Sequence, residues 1–171
     1  MTKPAPLHIP DSQLQRYFEL AVDLFCIGDM NGLFRRVNAA AQSVLGYTES
    51  EMQTIKFLDL VHPDDRRRAV REFVRQARGA PTSSLEVRYR CKSGAYRRIA
   101  WSAWPHLEDG LVYAVGRDIT EDYRRRHERR LAGGISDQLW SMRTEQDLSA
   151  ILAAIRAALL ELDIPFAACG I

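Results

Sequence analysis

The sequence predicts an α+β domain built on antiparallel strands, and three observations support this class. Asn31-Gly32 separates two short apolar runs, which is the strongest short-range signal for a β-hairpin. Residues 84–117 contain three consecutive strand-like segments joined by Ser-Gly and Asp-Gly turns, which predicts a meander. Between the hairpin and the meander, apolar residues recur at helical spacing.

Composition places the chain among ordinary globular proteins. Of its 171 residues 46% are hydrophobic and 27% charged, which excludes a disordered or fibrous chain. The longest apolar stretches fall short of the roughly 18 residues that a membrane span needs, and the N-terminus lacks a signal peptide pattern. Three widely spaced cysteines indicate reduced thiols. We therefore expect a cytoplasmic protein without a membrane anchor.

The first half of the chain gives clear start and stop signals. Residues 1–11 are expected to be flexible, and Asp11 or Ser12 can cap a short amphipathic helix. The hairpin strands are predicted at 24–29 and 33–37. Asn38 can cap the small helix that follows, and Gly46 can end it.

A long helix is predicted from His62-Pro63-Asp64-Asp65 to Gly79, because proline and carboxylates suit a first helical turn. Its apolar residues are expected to form one stripe that includes Val70 and Val74. The meander strands follow at 84–91, 96–104 and 111–117, each with alternating apolar residues.

The sequence after Thr120 is helical and highly charged. Gly133-Gly134 predicts a hinge, since each glycine costs about 1 kcal/mol relative to alanine within a helix. Thr144 begins a second, amphipathic helical pattern, and residues 166–171 are typical of the opening of a strand. These patterns predict that the given sequence stops within a second domain.

The order of these elements closely resembles the PAS family over Leu14 to Glu121. The matching pieces are Asp29-Met30-Asn31-Gly32, Val37-Asn38-Ala39-Ala40, Leu45-Gly46-Tyr47-Thr48, residues 60–66, Lys92-Ser93-Gly94 and Asp118-Ile119-Thr120. The resemblance implies a five-stranded antiparallel sheet with small helices on one face and an N-terminal cap helix. It divides the chain into a PAS domain at 12–121, a helical signalling linker at 122–143 and the truncated second domain at 144–171. That last segment resembles the start of a GAF domain; the alternative is a long connecting helix.

PAS members enclose a pocket between sheet and helices, and strand alternation predicts its lining here. The candidate pocket residues are Cys26, Gly28, Val70, Val74, Val87, Tyr89, Ile99, Trp101, Ala114 and Gly116. Trp101 is bulky enough to fill much of the space, whereas Gly28, Ala114 and Gly116 leave room. A small-molecule ligand and plain core packing therefore both stay open.

This chain lacks the residues that bind the cofactors of other PAS members. A covalent flavin adduct needs a cysteine in the short helix at 54–61, and a haem needs an axial histidine within 66–78; neither is present. The four histidines show no spacing typical of a metal site. The cofactor, if any, stays unknown from sequence.

Two other classes of function are disfavoured. The chain has no nucleophile elbow, phosphate-binding glycine loop, or kinase or cyclase signature, so we expect no enzyme activity. Arg124-Arg125-Arg126 lies beside Glu121 and Asp122, a mixture typical of a solvated helix rather than a nucleic-acid surface.

The outer sheet face predicts how the domain works with partners. Trp104, Tyr113 and Val115 should point outward, and Leu14 and Phe18 of the first helix, from the same chain or a partner, could cover them. The resemblance implies a parallel homodimer and a downstream output domain, of histidine kinase or cyclic-dinucleotide enzyme type. Lys92, Asp118 and Thr120 are candidates for a polar latch that passes a ligand- or partner-induced change to that output. The alternative function is a ligand-free dimerisation scaffold.

Overall fold

The computed structural model describes residues 10–141 and 152–157, and side chains at 10–132 and 152–157. The chain divides after Ile119 into two units. In the first unit the helices are α1 Asp11–Leu20, α2 Ala39–Leu45, α3 Glu49–Met52, α4 Phe57–Leu60 and α5 Pro63–Gln76. Its strands are β1 Leu24–Asp29, β2 Phe34–Val37, β3 Thr82–Arg90, β4 Tyr96–His106 and β5 Leu111–Asp118.

These five strands form one antiparallel sheet in the order β2-β1-β5-β4-β3. The hairpin and the meander thus meet through β1 and β5, where Cys26 lies opposite Ala114. Helices α2 to α5 fall between the two groups of strands, as the sequence predicts. The predicted α+β class and the five-stranded antiparallel sheet are confirmed.

Asn38 holds the junction between β2 and α2. Its side chain is fully buried. The Oδ1 atom accepts from the backbone N–H groups of Phe25 and Ala41, both at 3.0 Å. The Nδ2 group donates to the carbonyl oxygens of Ala21 and Asp23. The predicted helix cap is therefore confirmed, and the same residue also fixes the start of β1.

The N-terminus of α5 is tied to β3 by two carboxylates. The Asp65 carboxylate accepts from the backbone N–H and the Nε of Arg88, each at 2.9 Å. His62 donates its backbone N–H to the Arg88 carbonyl. Asp64 contacts the same guanidinium at 3.2 Å, but its side chain is 72% exposed. The predicted helix start is confirmed, and it also anchors the helix on the sheet.

The second unit begins with α6, Thr120–Ser141, and residues 152–157 are also helical. Helix α6 continues through Gly133 and Gly134, so the backbone does not break where we predicted a hinge. The predicted capping box at Thr144 and the terminal strand at 166–171 lie outside the described residues. No helix in the described part of the chain is long and apolar enough to cross a membrane.

Candidate ligand cavity and signalling surfaces

A cavity of about 80 Å³ lies between the inner face of the sheet and the helices. Its lining residues from the sheet and its hairpin turn are Cys26, Gly28, Asp29, Gly32, Leu33, Phe34, Leu85, Tyr89, Trp101, Ala103, Val112 and Ala114. Helices α4 and α5 contribute Phe57, Ala69, Glu72, Phe73 and Gln76. Phe57 and Phe73 meet edge to face, with ring centroids 5.2 Å apart. The lining is largely apolar and aromatic, which is typical of small-molecule sites.

The structure brings five of the predicted pocket residues to this cavity: Cys26, Gly28, Tyr89, Trp101 and Ala114. Val87 and Ile99 are fully buried on the same sheet, but they belong to the core beside the cavity. Strand alternation indicates which residues face inward, whereas the distinction between cavity lining and core depends on where the helices lie.

Val70 and Val74 are corrections to the predicted pocket. Their side chains are 42% and 45% exposed on the outer side of α5. The helix instead turns Ala69, Phe73 and Gln76 toward the sheet, a set at i, i+4 and i+7. Val70 and Val74 were predicted to be internal because they are apolar, and Gln76 was not predicted to be internal because it is polar.

Gly116 is a second correction, because the space above it is already filled. A Cβ atom at this position would lie 2.8 Å from Cζ3 of Trp101 and 2.9 Å from Cγ2 of Ile99. Trp101 and Gly116 are direct partners across β4 and β5. The missing side chain thus makes room for the indole ring rather than for a ligand.

Sequence reasoning missed a polar wall on the α5 side of the cavity. Gln76 is buried and donates from Nε2 to Oγ1 of Thr82 at 2.9 Å. The Thr82 hydroxyl in turn donates to the Glu72 carboxylate at 3.2 Å, and Arg75 contacts that carboxylate at 3.0 Å. A glutamine at helical spacing from Ala69 and Phe73 was the only signal available.

A second carboxylate, that of Asp29, lines the cavity at the hairpin turn. Its Oδ1 accepts from the backbone N–H groups of Asn31 and Leu33, and its Oδ2 lies 2.6 Å from Arg35. Burial alone would raise the pKa of Asp29, but these hydrogen bonds and the charge of Arg35 hold it below its ordinary value. The group is therefore ionised and fully engaged.

Burial also fixes the protonation of two groups on the sheet. It raises the pKa of the Cys26 thiol, and burial with the nearby Cys26 raises the pKa of the Tyr89 phenol. Both side chains are consequently neutral at physiological pH. Tyr89 tilts against Trp101 with ring centroids 5.5 Å apart.

Two of the residues predicted as a latch, Lys92 and Asp118, form ion pairs with other elements of the domain. The Nζ of Lys92 lies 2.6 Å from the Glu51 carboxylate of α3. Asp118, at the end of β5, pairs with Arg97 at 3.1 Å, three residues after the Lys92-Ser93-Gly94 turn. Thr120 is the first residue of α6. Asp118 thus ties the last strand to β4 one residue before the chain leaves the sheet.

The outer sheet face carries the predicted aromatic patch. Trp104 and Tyr113 are opposite each other on β4 and β5 and are 52% and 42% exposed, and Val115 lies beside them half-buried. Helix α1 covers another part of this face, where the Phe18 ring packs on the ring of Phe25 with the two ring centroids 6.2 Å apart. Leu14 on the same helix is exposed.

The described side chains include no group of three or more His, Cys, Asp or Glu residues placed to hold a metal ion. On α6, Arg124 lies 3.6 Å from Glu121, one turn away on the exposed helix.

In a comparison with protein-family models, residues 34–117 match the model described as the PAS fold. A search of curated proteins returns no significant match. Among solved structures, a domain of a sensory box sensor histidine kinase/response regulator from Geobacter sulfurreducens is 28% identical, with a TM-score of 0.56. The match covers 63% of this chain and 93% of that one. The part of the chain that these matches cover has the PAS fold.

Two further structures share the fold at lower identity. The PAS domain of an HTR-like protein from Haloarcula marismortui is 22% identical, covers 64% of this chain and 91% of its own, and has a TM-score of 0.56. The PAS domain of the Cronobacter turicensis quorum-sensing receptor RpfR, in complex with BDSF, is 20% identical with a TM-score of 0.50. That match covers 58% of this chain and 96% of the receptor domain.

Proposed function

We propose that this chain is the sensory part of a multidomain cytoplasmic signalling protein, and that its cavity takes a small-molecule ligand. The observation that carries the proposal is the cavity itself, which lies between the sheet, α4 and α5 and has an apolar lining with a few polar groups. The RpfR domain, which has the same fold, is in complex with BDSF. This supports a binding role for the fold.

The output is proposed to lie downstream in the same protein. Ligand or partner binding would shift the population of sheet packings, alter the Asp118 latch and move the helices that follow. A kinase or cyclic-dinucleotide enzyme is the kind of output we propose, supported by the sensor histidine kinase from which the Geobacter domain comes. The exposed Trp104 and Tyr113 support a parallel homodimer through the outer face.

A ligand-free dimerisation scaffold is the second candidate. The indole of Trp101 occupies the space over Gly116, so side chains already fill part of the interior. In that case the domain only joins two subunits and spaces the neighbouring domains.

Native mass spectrometry and an absorption spectrum of freshly purified protein separate the two candidates. The sensor proposal predicts added mass or colour that disappears on denaturation, or a stabilising hit in a metabolite screen. A protein of bare polypeptide mass that no metabolite stabilises would favour the scaffold.

A further inference from the structure

The indole N–H of Trp101 is a buried hydrogen-bond donor without an acceptor. Trp101 is 6% exposed and lines the cavity. Among the described residues, its Nε1 is the one buried side-chain nitrogen or oxygen that lacks a hydrogen-bond partner. Leaving such a donor unpaired costs about 1–3 kcal/mol, so native proteins seldom tolerate it without a reason.

The surroundings of Trp101 within the sheet cannot supply the acceptor. Its strand neighbours on the inner face, Leu85, Ile99, Ala103 and Gly116, have no polar side chain. The Tyr89 ring also packs against it, at a centroid distance of 5.5 Å, but Nε1 has no hydrogen-bond partner. The Cε3–Cζ3 edge of the ring packs over Gly116, so the opposite edge, which carries Nε1, is turned away from β5. The four strand neighbours offer no polar side chain to a trapped water either, so the polar groups that could share a ligand or a water with Nε1 are those of the cavity lining.

The charges around the cavity select against an anion. Its lining includes the carboxylates of Asp29 and Glu72 but no lysine or arginine, and the guanidinium groups of Arg35 and Arg75 are already paired with those carboxylates. A ligand carboxylate placed there would be a buried charge without a cation, which is strongly unfavourable.

We infer that the cavity takes a small neutral molecule, largely apolar, whose carbonyl or similar oxygen accepts a hydrogen bond from Nε1 of Trp101. This inference rests on the proposed sensory function and narrows its ligand. The volume of about 80 Å³ suits a compact molecule or the head of a longer one. Trp101 then acts as the residue that orients the ligand, in addition to its place in the core.

The test compares three probes of similar size on the ¹⁵N-labelled chain: cyclopentanone, methylenecyclopentane and butyrate. Methylenecyclopentane has the shape of the ketone without the oxygen acceptor, and butyrate supplies an anionic acceptor. The chain has three tryptophans, and the indole signal lost in Trp101→Phe identifies that of Trp101. We expect cyclopentanone alone to move this signal downfield. We also expect the ketone to bind about fivefold more tightly than the hydrocarbon, the worth of one ordinary hydrogen bond.

The Trp101→Phe variant should abolish that fivefold preference, because phenylalanine keeps an aromatic ring but has no N–H. The shift in the wild-type protein gives the same information should the variant fail to fold. Equal binding of ketone and hydrocarbon with an unmoved signal would overturn the inference while leaving a ligand-binding cavity. Butyrate binding as tightly as the ketone would overturn the neutral class, and binding of none of the probes would count against the proposed ligand function as well.

Discussion

The contact between Trp101 and Gly116 shows how a single missing side chain shapes the interior of the domain. We predict that Gly116→Ala destabilises the protein by about 1–3 kcal/mol, the usual cost of overpacking a core. The added methyl would lie within 3 Å of Trp101 and Ile99 (2.8 and 2.9 Å), and neither residue can move away without disturbing the sheet. Urea unfolding followed by circular dichroism measures the change.

Gly28→Ala is the matched control on the adjacent strand. A Cβ atom at Gly28 would meet only the Leu33 carbonyl oxygen at 3.4 Å, an ordinary contact. Its stability should stay within about 0.5 kcal/mol of the wild type. Equal losses for both variants would argue against the special role of Gly116.

Single residues also show where sequence reasoning ended. The sequence predicted one of the hydrogen bonds of Asn38, the helix cap, because capping depends on residues close along the chain. The bonds from Nδ2 to Ala21 and Asp23 span 17 and 15 residues and depend on the fold. Gln76 was missed for the same reason, since its partner Thr82 lies beyond the end of α5.

At the scale of elements, the attachment of α5 to β3 depends on Asp65. Burial alone would raise the pKa of this carboxyl, but the hydrogen bonds and charge of Arg88 hold it below its ordinary value of 3.8. A lowered pKa means that this contribution to stability is fully present above pH about 4 and is lost as the pH falls through the folded-state pKa.

We therefore predict that Asp65→Asn lowers stability at pH 7 by about 1–3 kcal/mol, because a charged acceptor of several hydrogen bonds is lost. The difference from the wild type should shrink below pH about 4, where the carboxylate becomes protonated. Unfolding curves at a series of pH values measure both effects. Asp64→Asn is the control, because the exposed contact of Asp64 with Arg88 should contribute less than about 1 kcal/mol to stability. A stability difference between Asp65→Asn and the wild type that does not change with pH would contradict the prediction.

The junction between β5 and α6 carries the proposed relay. We predict that Asp118→Ala combined with Thr120→Ala uncouples the output of the full-length protein from its stimulus, while the domain stays folded. The Arg97–Asp118 pair is partly exposed, so its loss should cost little stability. The output activity with and without stimulus is the measurement.

Arg117→Ala controls for the loss of an ion pair at the same strand end. Arg117 pairs with Asp23 at 2.8 Å and takes no part in the pair between Arg97 and Asp118. This control should keep its regulation. Normal regulation in the double variant would refute the latch.

At the scale of the whole molecule, the exposed aromatic patch predicts self-association. We expect the wild-type protein to be dimeric at micromolar concentration, and Trp104→Lys to raise the dimer dissociation constant at least tenfold, since buried tryptophans are frequent interface anchors. Light scattering coupled to size exclusion measures the mass. Val74→Lys places the same charge at a similarly exposed valine on α5 and should leave the dimer intact; a monomeric wild type would contradict the prediction.

The overall architecture was the part most accessible from sequence, because it depends on local signals such as Asn31-Gly32, Gly46 and the alternation of β3 to β5. The face that α5 presents to the sheet was not accessible. Apolar residues occur on two sides of that helix, Ala69 and Phe73 on one and Val70 and Val74 on the other. Only the packed fold decides which side is internal.

The pairing of a large ring with a residue that has no side chain also has an evolutionary consequence. The side chains at positions 101 and 116 occupy the same limited volume, so a larger residue at one position requires a smaller residue at the other. Relatives with a smaller residue at 101 could accept a larger one at 116, and the interior void would then move from one strand toward the next. Exchange of bulk between these two neighbours would let descendants of this domain acquire different chemical preferences without altering the backbone.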